Sequence, residues 1–320
     1  MTDANGAIGR SRLERLLRAG QFAVTAELQT TDSADPGSVF ELAELLRGKV
    51  DAVNCTDNSA AHPHISAVAA ARLLIDRDVE PIVQFTCRDR NRLGLQADIL
   101  GAAALGVRNL CCMTGDDVTA GDHPEAKPIY DLDSLHLLRM VRILRDQGTY
   151  LSGRKLTEPP DVFVGAVENP FAPPLDFRPL RMGKKIEAGA EFIQLQLVFN
   201  LEVMRVFADR AGELGLLERA FVLPSVYVPR STRALRYMRD AVPGIDVPET
   251  MIERMERTPR DRQEEEGLLI AHEIIQAVRA MPGMRGVHLI SIGGDDLVVR
   301  LIEEAGLLPR PKLAVEVASA

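Results

Sequence analysis

Residues 81–117 read PIVQFTCRDRNRLGLQADILGAAALGVRNLCCMTGDD, and the alternation inside this stretch decides the fold. Residues 81–86 are a short apolar run with β-branched and aromatic members, closed by a polar cluster, which predicts a buried strand. Leu93, Ala97, Leu100, Ala104 and Leu105 then recur at helical spacing, and Gly106 supplies the stop. A second apolar run, residues 108–113, ends at Thr114-Gly115-Asp116-Asp117. The unit is strand, helix, strand. Strands joined through a helix in one sheet are parallel, and the carboxyl ends of such strands are where ligands gather. The RDRNR and TGDD segments are therefore expected side by side on one rim.

The same unit repeats outward in both directions. Strands are predicted over residues 22–28, 50–55, 162–167, 192–199, 220–225 and 287–292, with helices after each, and two further helices lie between residues 248 and 280. Eight strand candidates, each followed by a helix with no break in composition, predict a single (β/α)8 TIM barrel carrying additional helices before the eighth strand. A doubly wound sheet is the structural alternative. No GxGxxG follows any strand, which disfavours a Rossmann nucleotide site. Residues 1–20 read as an N-terminal helical extension built on SRLERLLRAG, residues 21–308 as the barrel, and residues 309–320 as a tail expected to be poorly ordered. Residues 118–133 form a long excursion of the kind that covers a ligand.

Composition narrows the functional classes. The chain has 320 residues, 46% hydrophobic and 26% charged, enough for an ample soluble core. Its net charge of -8 argues against nucleic acid or an anionic membrane as partner. No apolar run approaches a membrane span, and the first residues carry no signal-peptide core, so a cytoplasmic location is the expectation. Cys55, Cys87, Cys111 and Cys112 form no CxxC pair and sit in or beside predicted strands, which suits inert core thiols. His272-Glu273 lacks the second histidine of a zinc helix, and no metal site is expected.

In a barrel, the polar residues at strand ends converge on one pocket: Glu27, Asn54, Thr56, Gln84, Thr86, Thr114, Asp116, Glu168, Asn169, Gln194 and Gln196. Each taken alone also reads as a charge cap or a core hydrogen bond. Glu27 stands out because it ends an apolar strand with no basic neighbour in sequence, and a carboxyl in a partly dry pocket has the raised pKa that a general acid requires. Asp116 offers a second carboxylate at the same rim, where the two can take different roles. Gln194 and Gln196 share a strand face, and their amides suit the mixed donor and acceptor edge of a pterin or flavin; one of them inside a polar layer of the barrel is the plainer reading. RDRNR reads as a loop with internal salt bridges or as an anion site, and Lys184-Lys185 as charges that offset a helix dipole. Gly293-Gly294 before the last helix is a short candidate phosphate cradle.

Taken in order, FAVTAELQT, VDAVNCTDN, PIVQFTCRDRNR, NLCCMTGDD, the NP after the fifth strand, KKIEAGAEFIQLQLVFN and VPETMIERM resemble the methylenetetrahydrofolate reductases, particularly the short bacterial form of acetogen-type pathways. The resemblance covers roughly residues 20–308. It implies a flavin-bearing (β/α)8 barrel that interconverts 5,10-methylenetetrahydrofolate and 5-methyltetrahydrofolate, in one-carbon and methionine metabolism, with electrons from NAD(P)H or another donor. By the same resemblance Glu27 is the acid that opens the folate imidazolidine ring, and Asp116 the anion beside the resulting cation. Gln196 binds the folate, with Gln194 beside it on the same face, and Thr56, Gln84, Thr114, Asn169 and Lys185 fall among the cofactor positions. The chain departs from the FAD-containing members in having Thr114 where they have arginine, Asn169 where they have tyrosine, and Arg178 and Arg181 at the adenine positions. The implied cofactor is FAD first, FMN next, with flavin-free use of NADH as a third option. A homo-oligomer or an electron-donor partner subunit fits the family. Two other readings stand beside it: a folate- or flavin-binding subunit active only with a partner in a methyl-transfer system, and a phosphate-binding barrel lyase or isomerase using Gly293-Gly294.

Overall fold

Eight parallel strands close into a barrel in sequence order in a computed structural model of the chain, which describes residues 9–28, 31–290 and 295–313. They are β1 (Ala23–Leu28), β2 (Ala52–Cys55), β3 (Pro81–Thr86), β4 (Asn109–Met113), β5 (Phe163–Glu168), β6 (Phe192–Leu197), β7 (Phe221–Tyr227) and β8 (Gly286–Ile290). Their near-continuous burial follows from the architecture, because helices cover the outer face and side chains fill the inner one. The outer helices are α2 (Gly37–Leu46), α3 (Ala67–Ile75), α4 (Arg92–Ala104), α5 (Ser134–Arg142), α6 (Phe177–Ala188), α7 (Leu201–Glu213), α8 (Thr232–Ala241), α9 (Glu249–Arg257), α10 (Gln263–Ala280) and α11 (Asp295–Glu304). α9 and α10 are the additional helices that precede the eighth strand.

The register sorts the interior. Thr25 stands opposite Ala52 and His288, Glu27 opposite Asn54, and Gly165 opposite Cys111 and Phe192, so residues two apart along each strand point inward together. Ala23, Ala52, Ile82, Cys111, Phe163, Phe192 and Leu223 make an apolar plug in the lower half. Phe163 and Phe192 stack at 5.0 Å between centroids, and a Cβ on Gly165 would lie 2.2 Å from the Phe192 ring, which is why the strand carries glycine there.

The helix at the start of the chain belongs to this plug. α1 (Arg12–Arg18) inserts Leu13, Leu16 and Leu17 into the same cluster, closing the N-terminal end of the barrel as a floor. Its first N–H groups are bound by the Glu80 carboxylate, which accepts from Arg12 N at 2.7 Å and Leu13 N at 2.9 Å. Burial pushes the Glu80 carboxyl above its usual pKa, against the lowering effect of those bonds. The tail, expected to be poorly ordered, differs over its first residues: Arg310 pairs with Asp51 and donates to Phe22 O, and Leu313 is buried in the floor cluster. Sequence reasoning missed this because the anchoring partners, Asp51 and Phe22, come from the residues just before β2 and β1, far away in the chain. The Gly293-Gly294 dipeptide lies outside the described residues, as do the last two positions of the predicted eighth strand.

All four cysteines are free and fully buried. Burial raises each thiol, Cys87 and Cys111 to about 12. Thiols of the unfolded chain ionise near 9.0, so above that pH the folded state holds protons the unfolded state has lost, and stability falls as pH rises. Native protein at about pH 8 is therefore expected to resist a thiol-alkylating reagent, whereas all four thiols react in urea. Rapid labelling of any of the four in the native state would contradict the packing described.

Candidate functional site at the C-terminal mouth

Above the apolar plug the interior turns polar. Thr25, Asn54, Gln194 and His288, from β1, β2, β6 and β8, are all buried and bound to one another. The Asn54 and Gln194 amides exchange two hydrogen bonds, Asn54 Nδ2 donating to Gln194 Oε1 at 2.7 Å and Gln194 Nε2 to Asn54 Oδ1 at 3.1 Å. Gln194 Nε2 also reaches Thr25 Oγ1 at 3.4 Å, and Thr25 Oγ1 lies 2.9 Å from His288 Nδ1. Buried amides and hydroxyls are costly unless paired, and this layer pairs them.

On that layer rests a cavity of about 430 Å³ at the carboxyl ends of the strands. Its walls bring together the acids, amides and hydroxyls singled out from the sequence as catalytic or ligand-binding candidates, with one lysine: Glu27, Asp116, Gln194, Gln196, Thr56, Gln84, Thr114, Asn169 and Lys185. Glu27, one residue from the end of β1, is largely buried. Its carboxylate accepts from Gln84 Nε2 at 3.4 Å and stands 3.7 Å from His288 Nε2. Asp116 sits across the mouth on the β4 rim with an exposed carboxylate, and its backbone oxygen accepts from the Tyr130 hydroxyl at 2.7 Å. The turn before it is tight. Gly115 has φ +93°, and a Cβ there would come within 3.0 Å of Thr86 Cβ.

The two glutamines divide their work. Gln194 is held in the polar layer, while Gln196 is half-buried on the cavity wall, its Oε1 accepting from Leu197 N at 3.0 Å. The arginines of RDRNR are internally committed: Arg88 is buried against Asp89, Arg90 pairs with Asp57 and Asp98, and Arg92 with Asp131. Residues 129 and 130 of the long excursion hydrogen-bond to the backbone of Arg88 and Cys87, which lays that segment along the rim.

Lys185 differs from its reading as a charge set against a helix dipole. It is buried in α6, its ammonium donates to Glu168 Oε2 at 2.8 Å and to Val167 O, and burial lowers its pKa while Glu168 opposes that shift. Arg181 and Arg178 add a second and a third cation, 3.8 and 3.9 Å from Glu168. Asn169 is also engaged, donating to Gly244 O and accepting from Phe171 N, both at 2.9 Å. His288 and Ser225 escaped sequence reasoning, whereas Arg181, which falls by resemblance at an adenine position, lines the cavity. The available signal for His288 was its place as the sole polar side chain in the apolar run VHLI. Among the described residues, no group of three His, Cys, Asp or Glu could hold a metal ion, and no helix is long and apolar enough to cross a membrane.

The strands and helices define a (β/α)8 barrel, with this cavity at the strand carboxyl ends as its candidate ligand site. The chain belongs to the methylenetetrahydrofolate reductase family, whose model matches residues 12–306. It is 23% identical over 263 residues to methylenetetrahydrofolate reductase 2 of Schizosaccharomyces pombe, covering 79% of this chain and 40% of that protein. A probable NADPH-type methylenetetrahydrofolate reductase of Caenorhabditis elegans is 20% identical over 245 residues, covering 76% and 34%. The chain thus spans less than half the length of these relatives. Among solved structures, a Clostridium thermocellum protein described as binding two copies of 5-methyl-5,6,7,8-tetrahydrofolic acid superposes with TM-score 0.65 at 12% identity, over 93% of this chain and 100% of that one. A long-chain alkane monooxygenase gives TM-score 0.52 at 12% identity, over 89% and 92%. At these identities the structural likeness speaks for the fold.

The Glu168 and Lys185 pair yields a stability prediction. Glu168→Gln leaves a buried ammonium without its carboxylate and should cost about 3–5 kcal/mol in urea unfolding. Adding Lys185→Met should restore much of that loss. A double variant no more stable than the single one would contradict the pairing.

Proposed function

We propose that the chain catalyses the interconversion of 5,10-methylenetetrahydrofolate and 5-methyltetrahydrofolate, with Glu27 as general acid. The observation that carries this reading is that Glu27 and Asp116, from β1 and the rim of β4, line one cavity with the Gln196 side chain on its wall. In the reducing direction Glu27 gives a proton to N10 of the folate as the bond from N10 to the methylene carbon breaks, leaving an iminium cation at N5. Asp116 places a fixed negative charge beside that cation, and Gln196 binds the pterin edge. The hydride then closes the methyl group.

The walls suit a flavin ring. Hydroxyls of Thr56 and Thr114 and the Gln84 amide offer donors and acceptors for its polar edge, while Met113, Val167 and Ile290 give an apolar surface for stacking. Arg181 and Lys185 put two cations around one carboxylate at a single rim, which favours a phosphate. A reduced flavin held here would supply the hydride, FAD being the first reading and FMN the next, with NAD(P)H or another donor as the source of electrons. A second reading, direct transfer from NADH without flavin, draws on two observations: Lys185 and Asn169 are already bonded within the protein, and no Phe, Tyr or Trp is among the described residues lining the cavity. An absorption spectrum of the purified protein, with mass spectrometry of the small molecules released on denaturation, separates the two.

Glu27→Gln should lower folate reduction by about 10²–10⁴-fold while 5-methyltetrahydrofolate still binds and the thermal midpoint changes little. Full activity in a folded Glu27→Gln protein would remove the assigned acid.

A further inference from the structure

The opposite end of the barrel holds a second, larger cavity, of about 720 Å³. It is enclosed by the start of α1, by the turns that lead from α2, α3 and α4 into the next strands, and by residues 310–312. Seven Arg or Lys line it against three Asp or Glu, an inversion of the balance in a chain whose net charge is -8. The acids that lie deep are already used. Asp51 accepts from Val24 N and pairs with Arg310, and Glu80 binds two backbone N–H groups of α1 and the Asn109 amide.

That leaves cations outside close ion pairs, although Arg15 still feels Glu80 at longer range. Arg15, Arg108 and Lys312 have no carboxylate within ion-pair distance among the described residues. Arg15 Nε is buried with no hydrogen-bond partner, and Arg108 spends a single nitrogen, NH1, on the carbonyls of Ala103 and Val107. Two guanidinium forks and an ammonium around one cavity match an anion of more than one charge with several acceptor oxygens, which a phosphate or diphosphate offers and a lone carboxylate does not. Leu46, Val50, Ile75 and Val79 add an apolar wall on which the organic part of such a molecule can lie.

We infer that this floor cavity binds a phosphorylated small molecule, held by Arg15, Arg108 and Lys312 at a site separate from the mouth. The offsetting of helix C-terminal dipoles accounts for Arg15, in the last turn of α1, and for Arg108, but it leaves Lys312 in the C-terminal segment and the partnerless Arg15 Nε unexplained.

Isothermal titration of the full chain at low salt with inorganic pyrophosphate and with ADP tests the site. Saturable one-to-one binding is expected, weakened by about tenfold or more in Arg15→Gln/Arg108→Gln, the fold-change of a lost charge-assisted hydrogen bond. Lys312 is exposed, so Lys312→Glu should weaken binding with an unchanged circular dichroism spectrum, which keeps the test valid if the double variant fails to fold. Tighter binding of ADP identifies an organic phosphate and tighter pyrophosphate an inorganic one; both support the site. Excess 5-methyltetrahydrofolate should not compete, and Glu27→Gln should bind the probes as before. No saturable binding of either probe, indifference to Lys312→Glu, or displacement by the folate would overturn the inference.

Discussion

The pair of hydrogen bonds between the Asn54 and Gln194 amides, reaching from β2 to β6 across the barrel, is the constraint on which the rest of the site depends. Below it the interior is hydrocarbon, capped by the leucines of α1. Above it begins a polar cavity that a ligand can enter. An unpaired amide at that depth would cost a substantial part of a domain's net stability. Paired, the two amides also hold Thr25, and through it His288, in one arrangement beneath Glu27. The carboxylate at the mouth therefore stands on a layer that has little freedom to rearrange.

How much of the fold could be read in advance follows from where burial is symmetrical. The run over residues 81–86 coincides with β3, because a strand buried on both faces is largely apolar and a polar cluster marks its end. α1 was harder to place. Its arginines and glutamate suggest a solvated helix, yet Leu13, Leu16 and Leu17 fall on one face and fill the barrel floor, with Glu14 buried between Arg10 and Arg18. Nothing local announces that partnership, since the acceptors for the helix N-terminus come from Glu80.

The site shows the same division. Strand-end alternation was enough to gather Glu27, Gln84, Asp116 and Gln196 on one cavity, because position along a parallel strand fixes which end of the barrel a residue occupies. It could not separate Gln194 from Gln196, which share a face but lie one layer apart. It also could not show that Lys185 turns inward to Glu168, a contact between residues 17 apart in sequence whose direction depends on how α6 packs over β5. His288 was hidden by its apolar neighbours. The two ends of the barrel thus differ in kind: the mouth gathers carboxylates and amides, the floor gathers arginines around acids that are already bound.

The central claim is that a folate pterin occupies the space between Glu27 and Asp116. A crystal structure of the chain soaked with 5-methyltetrahydrofolate tests it most directly. The account predicts the pterin seated on the polar layer, with the Glu27 carboxylate on the N10 side and the Gln196 amide on the pterin edge. Folate bound elsewhere on the chain, with the mouth empty or closed by its own side chains, would contradict it.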